Sequence, residues 1–187
     1  MRMLRPFVPS LAMLLLATSG AAAQGVLIDK SEIRFVSRQM GANVEGRFRK
    51  WKARVDWRPG DLRRSRADFE IDLASIELAS EESETEIRRP RWFDTAKYPL
   101  ASFQSSAVLN LGGERYQITG KLTMKGTTRA VTIPVLWRKD AAGNAVTEGQ
   151  FTIKRLDFNV GDGPWSDPTA VADDVLVCVR MVLPRTV

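Results

Sequence analysis

The chain has no histidine among its 187 residues, and this absence excludes several classes of site. Histidine is the commonest general base near neutral pH and the commonest metal ligand in proteins. A Ser-His-Asp arrangement, a zinc site of the usual kind and haem ligation by histidine are therefore excluded.

Cysteine is almost as scarce, because Cys178 is the single one in the chain. No disulfide can form within one molecule, so the fold must be stabilised by burial. Cys178 lies in the run VLVCVRMV, where no histidine is available to activate it. We expect a buried, inert thiol rather than a nucleophile.

Other catalytic motifs are also missing. The sequence contains no GxxxxGK[ST] loop for phosphate. Asp173-Asp174 and Glu81-Glu82 are adjacent acids, and adjacent residues of a strand point to opposite faces, so they are more often solvated charges than paired catalysts or calcium ligands. We expect a protein that is not an enzyme, with no metal site and no cofactor.

Long hydrophobic runs are absent beyond the N-terminus. Arg2 and Arg5 precede the apolar residues 11–17, and three alanines at 21–23 offer a cleavage site for a signal peptidase. The apolar run is well below the roughly 20 residues that a membrane-spanning helix needs. We expect residues 1–23 to be a secretory signal peptide, residues 24–187 to form one domain beginning at Gln24, and the mature protein to reside in the periplasm.

Positive charge is present but dispersed. The formal net charge of +6 falls to +4 without the two N-terminal arginines, and basic residues cluster only at 47–66 and 88–91. A basic exported protein can contact anionic lipid headgroups, but a solvated basic face is the simpler interpretation. We find no nucleic-acid-binding motif and expect no nucleic-acid partner.

Period-2 alternation of apolar and polar residues covers most of the mature chain. In the segment 68–73, for example, Phe69, Ile71 and Leu73 alternate with acids, which is typical of half-buried antiparallel strands. Strands are predicted around Ile33 and Phe35, around 69–73, and at 44–48, 53–57, 101–107, 116–124, 130–137, 149–154 and 175–183. Short turns such as Lys125-Gly126 separate them and favour an up-and-down order.

One segment, SEESETEIRRPRWFD, lacks this alternation. It is rich in glutamate near its start, has arginines near its end, and offers Ser80 with Ser83 for capping, so a short helix is predicted after Ser80. Strands with one apolar face bury their edges most simply by closing into a barrel. We therefore predict an all-β fold, a closed antiparallel barrel of about eight or nine strands with one short helix.

The predicted interior is large and apolar. An eight-stranded barrel is either filled by its own side chains or wide enough for one small ligand. The inward-facing candidates are Phe35, Phe48, Phe69, Ile71, Phe103, Ile118, Leu122, Ile133, Val135, Phe151 and Ile153. As ordinary core residues they indicate a filled barrel, and as the wall of a cavity they indicate an apolar ligand.

Five motifs follow one another along the mature chain. They are IDKSEIRFVSRQMGANVEGRFRKWKARVDW with its G-x-F turn, DLASIEL, RWFDTAKYPLASFQSS, GKLTMKGTTRAVTIPV, and the closing pair IKRLDFNVG and VADDVLV. In this order they resemble the motifs of the YceI-like family of exported lipid-binding proteins. The resemblance covers nearly all of the mature chain.

This resemblance implies an extended eight-stranded antiparallel, lipocalin-like barrel with a short helix near one mouth. Its long apolar interior would hold a polyprenyl chain or an isoprenoid quinone. The helix after Ser80 is then expected to cross one barrel mouth, with Trp92 and Phe93 plugging it. Two roles are left open for this segment: contact with a ligand, with Arg91 and Trp92 at its headgroup, or a purely structural cap. The segment NVGDGPWSDPTAVADDV resembles the branch of the family that accompanies membrane di-haem b-type cytochromes, which implies such a cytochrome as a partner. We expect a monomer or a homodimer.

The sequence departs from the family pattern at Lys30 and at EIRRPRW, where many relatives have histidine, so headgroup contacts through histidine are not expected here. Two competing functions are left open. One is a stress or surface-interaction protein with a filled barrel and no lipid; the other is an enzyme using carboxylates and lysines, which needs a polar pocket instead of a continuous apolar one.

Overall fold

A computed structural model describes residues 25–185 of the chain. The predicted signal peptide and Gln24 lie outside the described residues. The strands are β1 (Glu32–Gln39), β2 (Ala42–Phe48), β3 (Trp51–Asp56), β4 (Arg66–Asp72), β5 (Ile76–Glu77), β6 (Leu100–Gly112), β7 (Arg115–Met124), β8 (Thr127–Lys139), β9 (Ala145–Lys154) and β10 (Asp174–Leu183). A single α-helix occurs in this part of the chain, α1 (Glu81–Ile87). The predicted all-β class with one short helix is confirmed.

Alternating residues of a strand face the interior and the solvent, but this alternation shifts by one residue within β6. At the start of β6, Ala101 and Phe103 are buried while Gln104 is exposed. A bulge between Ser105 and Ala107 then shifts the register against β7. Beyond it Val108 is buried and Leu109 is exposed, so the inward phase of this long strand changes from odd to even residues.

All strand pairs are antiparallel and form one sheet in the order β3-β4-β6-β7-β8-β9-β10-β1-β2-β5. Short turns join most neighbours along the chain. The turn between β7 and β8 is the predicted Lys125-Gly126, with φ values of 48° and 73°. Two successive positive φ values match the right-handed twist of a tight hairpin.

The ends of the sheet belong to one bent ribbon. Strand β2 pairs with β5, and β3, which follows β2 directly, pairs with β4, which precedes β5. Backbone hydrogen bonds cross the bend, from Arg49 N to Ser75 O at 3.1 Å and from Asp72 N to Lys50 O at 3.0 Å. The sheet therefore curls round until its two ends meet in this ribbon.

The strand count differs from the predicted eight, because the structure has ten strand segments. The bends explain the difference: residues 49–50 separate β2 from β3, and a 3-10 turn at Leu73–Ser75 separates β4 from the two-residue β5. A local break in the ladder divides each of these two stretches into two strands.

Strand directions define two ends of the curled sheet. The upper end carries residues 40–41, residues 78–99 with α1, residues 125–126 and the loop 155–173; we call residues 78–99 and 155–173 the upper cover. The lower end carries residues 25–31, 57–65, 113–114 and 140–144. The main core cluster runs from the strands into the upper cover, where Phe158 and Val160 are almost fully buried. No helix within residues 25–185 is long and apolar enough to cross a membrane.

Candidate functional site

The curled sheet encloses a cavity of about 430 Å³. Its wall is built by inward side chains from most of the strands, and α1 and the upper cover add residues at the upper end. Along β10 the odd-numbered residues Val175, Val177, Val179, Met181 and Leu183 all face this space. The wall is therefore mainly aliphatic and aromatic.

Two glycines leave space for aromatic rings of this wall. A Cβ at Gly46 would lie 2.3 Å from the ring of Phe35, and a Cβ at Gly120 would lie 2.5 Å from the ring of Phe103. At each glycine an aromatic ring from the paired strand fills the space that a side chain would occupy. The ring is Phe35 of β1 at Gly46 and Phe103 of β6 at Gly120. Gly46 is the glycine of the G-x-F motif. The motif was predicted to be a turn, which is wrong, because Gly46 and Phe48 lie within β2 and the turn is at residues 40–41.

The structure brings all ten predicted cavity residues to this one space. Phe103, Leu122, Ile133 and Val135 are buried, and the others are half-buried because the cavity exposes part of them. The lining residues that the sequence predicted, with Ile153 added, are Phe35, Phe48, Phe69, Ile71, Phe103, Ile118, Leu122, Ile133, Val135, Phe151 and Ile153. That a ligand contacts them stays a prediction.

The upper cover lies where the sequence predicted a mouth. Helix α1 begins after Ser80, whose Oγ accepts a hydrogen bond from Ser83 N at 3.2 Å, as the capping pattern predicted. Trp92 and Phe93 are buried and line the cavity. Arg91 does not line the cavity: its side chain is exposed, and its backbone carbonyl accepts hydrogen bonds from Gly161 N and Asp162 N.

Arg155 holds the upper cover together and was missed as a site residue. It is 3% exposed, and its five N–H groups donate to five backbone carbonyls at 2.7–3.0 Å. The acceptors belong to Val160, Gly161, Trp165, Val171 and Ala172. Burial lowers the pKa of this guanidinium, and the charge of Asp173 opposes that shift.

The same guanidinium packs on aromatic rings. Its central carbon lies 5.9 Å from the ring centroid of Trp92, which in turn lies 5.6 Å from Trp165. Residues 78–99 and the loop 155–173 are therefore joined through one buried cation and two indoles. The motif Arg-x-x-Phe within IKRLDFNVG could have pointed to Arg155 in the sequence. Both its arginine, Arg155, and its phenylalanine, Phe158, are buried.

Polar lining residues lie at the two ends of the cavity. At the upper end they are Ser37, Gln39, Glu82, Ser83, Glu86 and the buried Arg155. Towards the lower end they are Arg34, near the start of β1, and Ser65, Arg66 and Thr147. This distribution suits an amphiphile, because polar groups are available only where a headgroup can reach them.

Two tryptophans at the lower end were also missed. Trp57 and Trp137 line the cavity, and Trp57 packs edge-on against Tyr116 with 4.9 Å between ring centroids. The indole N–H groups of Trp57, Trp92 and Trp137 are covered and have no acceptor among the described residues. Trp57 ends the strand predicted at 53–57 and is in phase with Val55, so alternation offered a signal, although β3 itself ends at Asp56.

An ion pair on the outer face links β5 to the end of β2 in the bent ribbon. Glu77 of β5 accepts hydrogen bonds from Arg49 Nε at 2.6 Å and from Arg47 Nε at 2.7 Å. Hydrogen bonds from Arg49 and Arg47 lower the pKa of Glu77 to about 2. This ion pair lies at the point where the two ends of the sheet meet.

Metal-binding clusters and the single cysteine were two further candidates for a site. Residues 25–185 hold no group of three or more histidine, cysteine, aspartate or glutamate side chains that could bind a metal ion. Cys178 lies on the outer face of β10, paired with Arg34 and Gln150, and is half-buried. The expected fully buried thiol is wrong, because the inward phase of β10 falls on the odd-numbered residues.

Comparison with known proteins gives a family. A family model described as a YceI-like domain matches residues 26–183. A UPF0312 protein of Pseudomonas savastanoi pv. phaseolicola is 29% identical over 163 residues, covering 81% of this chain and 85% of that protein. A UPF0312 protein of Shewanella denitrificans is 29% identical over 167 residues, covering 83% and 87%.

Solved structures show the same fold. Burkholderia cenocepacia BcnA is 39% identical, with a TM-score of 0.80 and coverage of 84% of this chain and 98% of BcnA. A polyisoprenoid binding domain from Saccharophagus degradans, implicated in plant cell wall breakdown, superimposes with a TM-score of 0.70 at 16% identity, covering 88% of this chain and 99% of that domain. At that identity the second likeness concerns the fold alone.

Proposed function

Because the chain belongs to the YceI-like family, we propose that it binds or carries an isoprenoid lipid inside its curled sheet. The observation that carries this proposal is the cavity of about 430 Å³ whose wall is apolar along its middle and polar only at its ends. The polyisoprenoid binding domain from Saccharophagus degradans, which has the same fold, supports the choice of lipid.

The chemistry of the wall matches an isoprenoid tail. Such a tail offers methyl groups and double bonds, so it gains no hydrogen bonds and binds through buried area and shape. Burial of apolar surface stabilises the complex by about 25 cal/mol per Å². Rings such as Phe69 and Phe103, whose centroids lie 6.2 Å apart, offer flat apolar surface to branched carbons.

The ends of the cavity set the headgroup class. A polyprenyl chain or an isoprenoid quinone carries at most a small neutral or singly charged head, and a few polar side chains at one end satisfy it. We propose that the head lies at one of the two polar ends and that the tail runs between them.

We also propose that the protein works in the periplasm after removal of residues 1–23. The apolar N-terminal run with its alanine cleavage site supports this location. A membrane di-haem b-type cytochrome is a proposed partner on the strength of the resemblance in NVGDGPWSDPTAVADDV, and it is consistent with a quinone as the carried lipid.

A filled barrel without a ligand is the competing function. In such a barrel the inward side chains would interdigitate and leave few voids larger than a water molecule. The cavity of about 430 Å³ favours the lipid carrier over this alternative.

Native mass spectrometry of the protein purified without detergent tests the proposal. We expect a complex with an added mass that organic extraction releases as an isoprenoid lipid. The control is the same protein after delipidation on a hydrophobic resin, which should regain the mass on incubation with an isoprenoid quinone. A protein that is empty as isolated and does not take up an isoprenoid quinone or a polyprenol would contradict the proposal.

A further inference from the structure

The lower end of the curled sheet combines exposed arginines with exposed leucines. The loop 56–66 contains four arginines and two aspartates. Arg58 is paired with Asp56 at 2.7 Å, whereas the side chain of Arg63 is 95% exposed and lies 3.8 Å from Asp61. Among the described residues no carboxylate lies within ion-pair distance of Arg64.

Large apolar side chains flank these arginines. The 3-10 turn Leu62–Arg64 packs against β6, and the lower half of β6 presents Leu109 and Leu111 on the outer face, each about half exposed. Leu136 of β8 lies on the same outer face, since it pairs with Arg115, the first residue of β7. We call the loop 56–66 together with Leu109, Leu111, Arg115 and Leu136 the lower rim.

The lower rim is continuous with the cavity. Trp57, Ser65 and Arg66 of the loop line its lower end. The backbone of the loop is fixed, because Ser65 Oγ accepts a hydrogen bond from Arg58 N at 2.9 Å and Arg66 donates to the carbonyls of Arg63 and Ser65. The exposed arginines are thus held at the end of an apolar channel.

The opposite end has the opposite charge. The upper cover contains nine acidic residues and five basic ones, and one of the basic residues, Arg155, is buried. The basic cluster at 88–91 belongs to this cover, but helix α1 contributes four of the acids, two of which line the cavity. An anionic surface is therefore attracted to the lower rim and repelled by much of the upper cover.

We propose that the lower rim docks on the surface of a bilayer that contains anionic phospholipids. The proposal rests on the proposed function, because an isoprenoid lipid is insoluble in water and has to pass between a membrane and the cavity. Leucines that enter the headgroup region and arginines that pair with anionic lipids are the two contributions that hold proteins at membrane surfaces. An acidic protein partner would use the arginines but would leave the leucines unexplained.

Sedimentation with vesicles tests this docking surface. The full mature chain is mixed with vesicles of phosphatidylcholine alone or of equal parts phosphatidylcholine and phosphatidylglycerol. We expect binding to the anionic vesicles, little binding to the neutral ones, and weaker binding at high salt, since salt screens exposed charges. The variant Arg63→Glu/Arg64→Glu should lower the partition coefficient on anionic vesicles by about tenfold or more.

The matched control is Lys121→Glu/Arg129→Glu, which makes the same change in charge on exposed residues in the upper half of β7 and β8. It should bind like the wild type. The proposal would be overturned if both variants lost binding equally, if the wild type bound neutral and anionic vesicles equally, or if it bound neither. The last result would favour an acidic protein as the partner of the lower rim.

Lipid occupancy is measured in the same samples by native mass spectrometry. We expect the Arg63→Glu/Arg64→Glu variant to retain lipid that was loaded before purification, because neither side chain lines the cavity. Loss of vesicle binding with retained lipid supports the docking surface. A wild type that binds vesicles but never holds lipid refutes the proposed function while leaving the docking surface intact.

Discussion

Arg155 is a buried cation whose partners are backbone carbonyls rather than a carboxylate. The planar guanidinium has five N–H groups, and the loop 155–173 wraps round it so that each has an acceptor. From the sequence alone, Arg155 would be interpreted as an exposed surface charge. In the structure it organises the loop that covers the cavity.

Replacing Arg155 by lysine should destabilise the protein by about 3 kcal/mol. An ammonium offers three donors, so at least two buried carbonyls lose their partner, and each costs about 1–3 kcal/mol. Urea unfolding gives the change, and limited proteolysis should cut the variant within 156–172. Arg129→Lys, an exposed control on β8, should change stability by less than about 0.5 kcal/mol. A loss below about 1 kcal/mol for Arg155→Lys would contradict this role.

Residue-scale prediction from the sequence worked where alternation was uninterrupted. Phe69 and Ile71 on β4, Leu122 on β7 and Ile133 on β8 face the cavity as their phase predicted. Arg155 was missed because its position depends on how the loop 155–173 folds over the cavity. Trp57 and Trp137 were missed although they end the strands predicted at 53–57 and 130–137 in the inward phase. The burial of Cys178 was predicted wrongly because a run rich in valine does not reveal which of its two alternating faces points inward.

At the scale of the elements, the bent ribbon of β2–β3 and β4–β5 is what lets the sheet meet itself. The strands themselves were predictable from period-2 alternation and turn residues. The bends at 49–50 and 73–75 were not, because they are set by pairing between β2–β3 and β4–β5, which are not consecutive hairpins. The bulge after Ser105, within the β6–β7 hairpin, also left no signal in the alternation. The bends are why eight strands were predicted and ten were found.

The Glu77 ion pair makes the ribbon sensitive to acid. Its pKa of about 2 in the folded protein lies below the ordinary value of 4.5, so the unfolded chain binds more protons in that range. The contribution of Glu77 to stability is therefore fully present above about pH 4.5 and is lost as the pH falls from there towards 2. The difference in free energy of unfolding between wild type and Glu77→Gln should shrink over this window.

Urea unfolding at a series of pH values measures this difference. The double variant Arg47→Gln/Arg49→Gln, which keeps the carboxylate but removes its donors, should show the same loss of acid sensitivity. Arg129→Gln serves as the control for removal of an exposed arginine and should follow the wild type. A Glu77→Gln difference that is constant from pH 7 to pH 2 would show that the ion pair does not hold the ribbon.

At the scale of the whole molecule, the exported form should begin at Gln24. Cleavage after the three alanines at 21–23 leaves an N-terminal glutamine, which cyclises readily to pyroglutamate. Intact-mass analysis of the protein from the periplasmic fraction should give residues 24–187, with or without the loss of one ammonia. Retention of Met1 in that fraction, or a protein confined to the cytoplasm, would contradict export through a cleaved signal.

Three parts of the fold are consistent with the proposed binding of a lipid. The curled sheet supplies an apolar interior, the upper cover closes one end around Arg155 and Trp92, and the lower rim presents arginines and leucines beside the other end. Charge inside such a wall should be costly, since an unpaired carboxylate in an apolar site costs several kcal/mol. The position of the lipid can therefore be tested by placing a charge on either face of one strand.

The most direct measurement is the lipid occupancy of Phe103→Asp compared with Gln104→Asp by native mass spectrometry. Phe103 is 5% exposed and faces the cavity, whereas Gln104 is its exposed neighbour on the outer face of β6, opposite Lys121. Phe151→Asp, at a half-buried wall position on β9, provides a second inward charge in case the first variant does not fold, and circular dichroism establishes which variants are folded. We expect folded inward variants to lose the lipid and Gln104→Asp to keep it. A folded Phe103→Asp or Phe151→Asp protein at full occupancy would show that the lipid is bound elsewhere.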